Sequence, residues 1–67
     1  MNELRVGDIR KDEDDRLYVI TRQAFGFDLI YANGETCSGL KKSTIENDSL
    51  VATYPTWQEA IKVLLGI

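Results

Sequence analysis

The chain has 67 residues, of which 43% are hydrophobic and 28% charged, with a formal net charge of −3 at pH 7. This composition is typical of one small globular domain and excludes an unfolded chain or a span of the bilayer. Eleven acidic residues outnumber eight basic ones, which weighs against nonspecific phosphate binding, and the absence of histidine weighs against acid–base catalysis at neutral pH.

The first strand is predicted over residues 4–10, with Val6 and Ile9 as its inward side chains. Gly7 lies between them and breaks strict alternation, which predicts a β-bulge. The polar run at residues 11–15 is predicted to be a turn because it has no apolar member.

The strongest strand is predicted over residues 16–23, where nearly every residue is a good strand former. Alternation places Tyr18 and Arg22 on one face, and both are exposed side by side if the other face is the core. A short turn at residues 24–26 leads to a third strand at residues 27–32.

Asn33 and Gly34 predict a type I′ turn, in which both central residues have positive φ. It leads to a weak fourth strand at residues 35–41, which we expect at an edge of the sheet. Lys41 and Lys42 would protect that edge from pairing, although a free edge leaves open that the chain works as an oligomer.

Residues 43–48 are predicted to form a single helical turn, because Ser43 and Glu46 have the spacing of a capping box. A fifth strand is predicted at residues 49–54, just before Pro55.

The clearest pattern in the chain is a C-terminal helix at residues 57–65. Thr56 and Glu59 form a predicted capping box, in which each side chain satisfies the other residue's backbone N–H, and Gly66 is placed to end the helix. The helix has one apolar stripe that must pack on the sheet, made of Trp57, Ala60, Ile61, Leu64 and Leu65.

These elements predict a single α+β domain over residues 1–67 that is mostly β. We expect a small five-stranded antiparallel SH3-like barrel or a bent sheet, with one C-terminal helix.

Two stretches resemble known proteins. The first, Val6-Gly7-Asp8-Ile9, is similar to the opening strand of many SH3-like barrels. The second, residues 50–61, resembles the tail of small uncharacterised proteins encoded by phages and prophages of Gram-positive bacteria. The first resemblance implies the barrel fold, but SH3-like barrels have unrelated functions, so neither one assigns a functional residue.

The candidate binding residues are aromatic and basic: Tyr18, Arg22, Phe25, Tyr31 and Lys41. Aromatic rings and arginine are frequent anchors in protein interfaces, and the same residue types can stack bases and contact phosphates. Phe25 lies in a turn, and we expect it to fold back into the core, because a chain this small needs its apolar side chains there. The alternative is that Phe25 faces a partner.

No group in the sequence indicates catalysis, a cofactor or a metal. The acidic run from Asp12 to Asp15 lacks the spacing of a calcium loop and is interpreted as a solvated turn. Cys37 has no histidine to activate it and is interpreted as a small apolar strand residue.

We therefore predict a noncatalytic binding module whose partner is another protein. The alternative is a small nucleic-acid-binding barrel, which the net charge disfavours. Residues 1–5 lack the features of a signal peptide, and the single Cys37 cannot form an internal disulfide, so we expect a cytoplasmic location.

Overall fold

The structure, a computed structural model, describes residues 3–67 and has five strands and two helices. Its elements are β1 (Asp8–Lys11), β2 (Leu17–Gln23), β3 (Phe27–Tyr31), β4 (Thr36–Leu40), α1 (Lys42–Ile45), β5 (Ser49–Thr53) and α2 (Trp57–Leu65). The strands form one antiparallel sheet in the order β4-β3-β2-β1-β5. The predicted α+β class is confirmed, and of the two expected sheets the structure has the open one, with β4 and β5 at its edges.

The strand β1 begins later than predicted, at Asp8, because the chain is tightly held at Gly7. The Gly7 N–H donates to the Ile20 carbonyl at 2.9 Å, and the Gly7 carbonyl accepts from the Tyr54 N–H at 3.1 Å. A Cβ on Gly7 would lie 2.4 Å from the Tyr54 carbonyl oxygen, and the φ of Gly7 is +99°. The β-bulge predicted at Gly7 is therefore wrong: Gly7 precedes β1 and makes a close backbone approach that only glycine allows. Val6, just before it, is exposed and not inward as predicted.

Both faces of β2 are covered, so the central residues Tyr18, Val19 and Ile20 are all fully buried. On one face, Tyr18 and Ile20 pack in a cluster with Leu4, Phe27, Leu29 and Ile45. On the other face, Val19 packs with Ile9 and Ala60. The sequence predicted one core face, but α1 and the segment before β1 cover one side while α2 covers the other.

The helix α2 has the predicted bounds and ends. The Glu59 N–H donates to the Thr56 hydroxyl at 3.2 Å, and Gly66 ends the helix in the left-handed conformation, with a φ of 74°. The other half of the capping box differs from the prediction, since the Glu59 carboxylate accepts from the Thr56 hydroxyl at 3.4 Å. Of the predicted stripe, Ala60 is buried, Leu65 is exposed, and the half-buried members pack against the second cluster: Trp57, Ile61 and Leu64.

The turn at Asn33 and Gly34 is not of type I′, because only Gly34 has positive φ. The Gly34 N–H donates to the Tyr31 carbonyl at 2.9 Å, and the Asn33 side chain accepts from the Glu35 N–H at 2.9 Å. The hairpin therefore has a three-residue loop, in which a type I turn is followed by a glycine with positive φ.

The short helical turn after β4 is present as α1, but not for the predicted reason. Lys41 is its N-cap residue and makes no side-chain capping bond, so Ser43 lies inside the first turn. Its buried residue, Ile45, anchors it to the sheet by apolar packing.

Candidate functional site

Tyr18 is a core residue and not a surface aromatic. Its side chain is fully buried, its hydroxyl donates to the Asp48 carboxylate at 2.5 Å, and its ring packs edge-on against Tyr31 with centroids 5.4 Å apart. Burial, and then the bond to Asp48, raise the pKa of Tyr18 far above its ordinary value. The predicted exposure of Tyr18 is wrong because the face it occupies is itself covered.

Arg22 does not lie beside Tyr18, because a bulge in β2 changes the alternation. Ile20 pairs with Leu29, but Arg22 pairs with Asp28, and the register shifts between them. Since Leu29 and Asp28 point to opposite faces of β3, Arg22 points away from the Ile20 face. Arg22 remains exposed, as predicted.

Phe25 does not fold back into the core. It is fully exposed, at 108% of its reference area, at the tip of the β2–β3 hairpin. The tip is tight, with the Ala24 N–H donating to the Gly26 carbonyl at 3.0 Å. The inner side of the tip is occupied by backbone, because a Cβ on Gly26 would lie 2.7 Å from the Gly39 carbonyl carbon. The ring is therefore left on the outer side.

The contact between Gly26 and Gly39 fixes the hairpin tip against the end of β4. The Asp28 carboxylate accepts from the Gly39 N–H at 3.1 Å, and Phe27 pairs with Leu40. Lys41 directly follows Leu40, so it lies at the same end of the sheet as Phe25. We call the exposed set of Arg22, Phe25 and Lys41 the aromatic–basic end.

A groove of about 340 Å³ lies beside this end and extends it. Its lining carries both charges, with Lys42 and Glu3 beside Gln23 and the core residues Leu4 and Phe27. Lys42 was not among the predicted binding residues, although its position next to Lys41 was a signal for it.

The cations of the aromatic–basic end have no partners among residues 3–67. The ion pairs within these residues join Arg5 to Glu3, Lys11 to Asp15 and Arg16 to Asp12. Both Arg22 and Lys41 are exposed and take part in none of them. Their charges are therefore available to a ligand.

Tyr31 lies at the other end of the sheet. It is half-buried, and the Arg16 guanidinium stacks over its ring at 4.8 Å from the centroid. One oxygen of the Asp12 carboxylate accepts from the N–H groups of Asp14 and Arg16, each at 2.9 Å. We call this region, residues 12–16 with Tyr31, the acidic end. The structure therefore brings together three of the five predicted residues and separates Tyr18 and Tyr31 from them.

The buried charge of Arg10 was not predicted from the sequence. Its side chain is fully buried and donates to the backbone carbonyls of Glu46 and Asp48. Arg10 lies on β1, where it pairs with Tyr18 of β2. Its bonds to the two carbonyls therefore hold the segment after α1 onto the sheet. This role is structural, and Arg10 is not available to a ligand.

Two other features of residues 3–67 concern metals and membranes. No three histidine, cysteine, aspartate or glutamate side chains are grouped there so that they could hold a metal ion. No helix in the same part of the chain has the length and apolar character needed to cross a bilayer.

No protein family, curated protein or solved structure was found to match this chain.

Proposed function

We propose that the chain is a noncatalytic binding module that contacts another protein through the aromatic–basic end. The observation that carries this proposal is the complete exposure of Phe25. A phenyl ring left in water forgoes about 1.5–3 kcal/mol of burial free energy, which a partner with an apolar pocket would recover.

The residues around Phe25 define the chemistry of that partner. Arg22 and Lys41 are exposed and unpaired among residues 3–67, so they suit a partner whose apolar pocket has an acidic rim. Aromatic and arginine side chains supply most of the binding free energy in many interfaces, while charges at the rim steer the encounter.

The position of the acidic end supports this assignment, even though the net charge is −3. β2 has seven residues and runs from the acidic end to the aromatic–basic end. At about 3.3 Å per residue the two ends are roughly 20 Å apart, which exceeds the screening length of about 8 Å at physiological salt. An acidic group that contacts Arg22 and Phe25 would therefore feel little repulsion from Asp12 and its neighbours. The carboxylates nearer to the aromatic–basic end are that of Glu3, which lines the groove, and those of Asp12 and Asp14, which line a cavity with Leu40.

Capture of partners from a bacterial lysate tests the proposal. Wild-type protein and a Val63→Ala control, altered at an exposed apolar residue of α2, should capture the same protein. The Phe25→Ala variant should lose it, since the anchoring ring is gone. Capture of nothing, or capture that does not depend on Phe25, would contradict the proposal.

Binding to single-stranded nucleic acid is the second candidate. It is favoured by the position of Lys41 and Lys42 at the same end of the sheet as the exposed ring, because stacking rings beside cations are what such proteins use. Fluorescence anisotropy of a labelled single-stranded oligonucleotide should then rise at low salt, and the affinity should fall with added salt and with Phe25→Ala. No binding at low salt would reject this candidate, since the phosphate contribution is largest there.

We also propose a cytoplasmic location and, from the resemblance of residues 50–61, a phage or prophage origin. The free, half-buried thiol of Cys37 suits a reducing compartment. Thiol titration of protein isolated from its own cell should find Cys37 reduced, and an intermolecular disulfide at Cys37 would argue against this location.

A further inference from the structure

The acidic end has a cavity that the proposed function does not use. Its volume is about 260 Å³. The apolar residues of its lining are Leu17, Tyr31 and Ala32, and the polar ones are Asp15, Arg16 and Asn33. An apolar cavity of about 150 Å³ is enough for benzene, so this cavity has room for one ring with a small substituent.

Backbone hydrogen bonds fix the two segments that line the cavity. The Ala32 N–H donates to the Leu17 carbonyl at 3.0 Å, which closes one end of the β2–β3 ladder. In the turn between β1 and β2, the Asp12 N–H donates to the Arg16 carbonyl and the Asp15 N–H to the Asp12 carbonyl, each at 3.0 Å. Asp15 has a φ of 62°, a conformation that residues other than glycine seldom adopt and that recurs at ligand sites. The cavity is therefore formed before a ligand arrives, which lowers the entropy cost of binding.

The charged residues of the lining are already paired. The Lys11 ammonium lies 3.6 Å from the Asp15 carboxylate, and the Nε of Arg16 lies 3.4 Å from the Asp12 carboxylate. A charged ligand would have to displace one of these partners and would meet a like charge beside it. Charge complementarity therefore favours a neutral ligand.

The polar residues of the lining keep both donors and an acceptor for a ligand. Within residues 3–67, the Arg16 guanidinium donates only through Nε, so its terminal amino groups are available as donors. The Asn33 side chain accepts from the Glu35 N–H through its oxygen, which leaves its NH₂ group as a second donor. The Lys11 ammonium, at 3.6 Å, is beyond hydrogen-bonding distance of Asp15, so that carboxylate is available as an acceptor. An amide, which has a carbonyl and N–H groups, is complementary to both kinds of group.

We propose that this cavity binds a small neutral molecule made of a planar ring that carries an amide. The ring would pack against Leu17, Tyr31 and Ala32, as rings do in apolar ligand sites. The amide carbonyl would accept from Arg16, and the amide N–H would donate to Asp15. A free molecule is favoured over a base in a nucleic-acid strand, because the carboxylates of the acidic end repel phosphates. The site is separate from the aromatic–basic end and does not depend on the protein-binding proposal.

Titration with benzamide, followed by ¹⁵N–¹H nuclear magnetic resonance, tests this site. Benzoate and benzylammonium are matched ligands that keep the ring and carry a charge. Benzamide should shift the amide signals of Leu17, Ala32 and Asn33, with a dissociation constant in the millimolar range. Both charged ligands should bind at least about fivefold more weakly, because each must compete with an existing ion pair.

Two leucine variants locate the binding. Ala32→Leu should weaken benzamide binding at least about tenfold, because the larger side chain would take up space in the cavity. Ala24→Leu is the control, since Ala24 is also exposed but lies in the hairpin tip at the other end of the sheet. It should bind benzamide as the wild type does. If Ala32→Leu does not fold, as judged by near-ultraviolet circular dichroism, the ranking of the three ligands on the wild type decides.

Four results would each overturn the proposal. The first two are the absence of shifts at Leu17, Ala32 and Asn33 up to the solubility limit of benzamide, and equal or tighter binding of either charged ligand. The others are wild-type affinity in a folded Ala32→Leu variant, and an equal loss of binding in the two leucine variants.

Discussion

The two ends of the sheet use their charged residues in opposite ways. At the acidic end, Asp12 accepts from the backbone N–H groups of Asp14 and Arg16, and Arg16 stacks on Tyr31. At the aromatic–basic end, Arg22 and the lysine after β4 make no ion pair within residues 3–67, and the ring between them is bare.

This difference shows that the more conspicuous charge cluster is the structural one. The acidic run dominates the sequence of the first turn, yet the Asp12 carboxylate is occupied in holding that turn. The basic residues are scattered in sequence, at Arg22 and Lys41, and gain a common role only because Gly26 packs on Gly39. Substitutions of the charged residues should therefore affect stability at the acidic end and binding at the aromatic–basic end.

The largest expected effect is the loss of binding in Phe25→Ala. Removing an anchoring ring should weaken partner binding by about 2 kcal/mol or more, roughly 30-fold, as measured by calorimetry with the captured partner. The free energy of unfolding should change by less than about 0.5 kcal/mol, because the ring makes no core contact. The Glu13→Gln control at the acidic end should bind as the wild type does. A large loss of stability in Phe25→Ala would show that the ring is packed.

The next effect is structural and lies at the aromatic–basic end. Gly26→Ala should lower the free energy of unfolding by about 1–3 kcal/mol, because its Cβ would meet the backbone of Gly39. Ala24→Ser is the control, since Ala24 is an exposed residue of the same hairpin tip. Urea denaturation measures both. Equal stability of Gly26→Ala and the wild type would mean that the tip is not fixed on β4.

Removing the buried hydroxyl at the other end should have a somewhat smaller effect. Tyr18→Phe leaves Asp48 without a hydrogen-bond donor and should cost about 1.5 kcal/mol of stability, measured in urea. Tyr31→Phe is the matched control, because the Tyr31 hydroxyl makes no hydrogen bond within residues 3–67 and the aromatic contact is kept. Equal losses of stability in the two variants would show that the Tyr18–Asp48 hydrogen bond has no special role.

Alkaline pH should destabilise the protein through the same residue. Burial, followed by the bond to Asp48, raises the pKa of Tyr18 above its ordinary value of 10.0, so the unfolded chain loses this proton first. The contribution of Tyr18 to the free energy of unfolding is therefore complete below pH 10. Above pH 10 this contribution falls by up to about 1.4 kcal/mol per pH unit. Urea midpoints on either side of pH 10 measure this loss. The slope should be smaller in Tyr18→Phe, and an unchanged slope would contradict the assignment.

The smallest effect is expected at the acidic turn. The backbone N–H of Arg16 is the main cause that lowers the pKa of Asp12 below 3.8. The Asp12 carboxylate therefore stabilises the fold above that pH, and the contribution is lost as pH falls through the lowered pKa. At neutral pH, Asp12→Asn should have a lower urea midpoint than Glu13→Gln, which changes the same charge on a side chain that makes no hydrogen bond within residues 3–67. The two variants should converge in strong acid, and a constant difference would argue against the ionised Asp12.

Much of the architecture was predictable because local patterns agree with it. The bounds of α2, its cap at Thr56 and its end at Gly66 follow from side-chain chemistry within a few residues. The edge position of β4 and the turn after Tyr31 also follow from local sequence, although the turn type was wrong, because Asn33 does not have positive φ.

The candidate site was only partly predictable, because it depends on contacts between distant residues. Alternation alone placed Arg22 beside Tyr18, but the bulge in β2 separates them. The expected burial of Phe25 was reasonable for a small chain, yet the ring is fully exposed, at a hairpin tip whose Gly26 packs against the backbone of Gly39.

By itself, the sequence determined five strands, a closing helix and their order, since periodicity, turn residues and caps act over a few positions. Only the tertiary structure decided that both faces of the sheet are covered, that Tyr18 is inside and that Phe25 is outside. Those outcomes depend on which segments come into contact across the sheet, and the close approaches at Gly7 and Gly26 are two of those contacts. A glycine in the sequence shows that a close approach is allowed, but not which segment makes it.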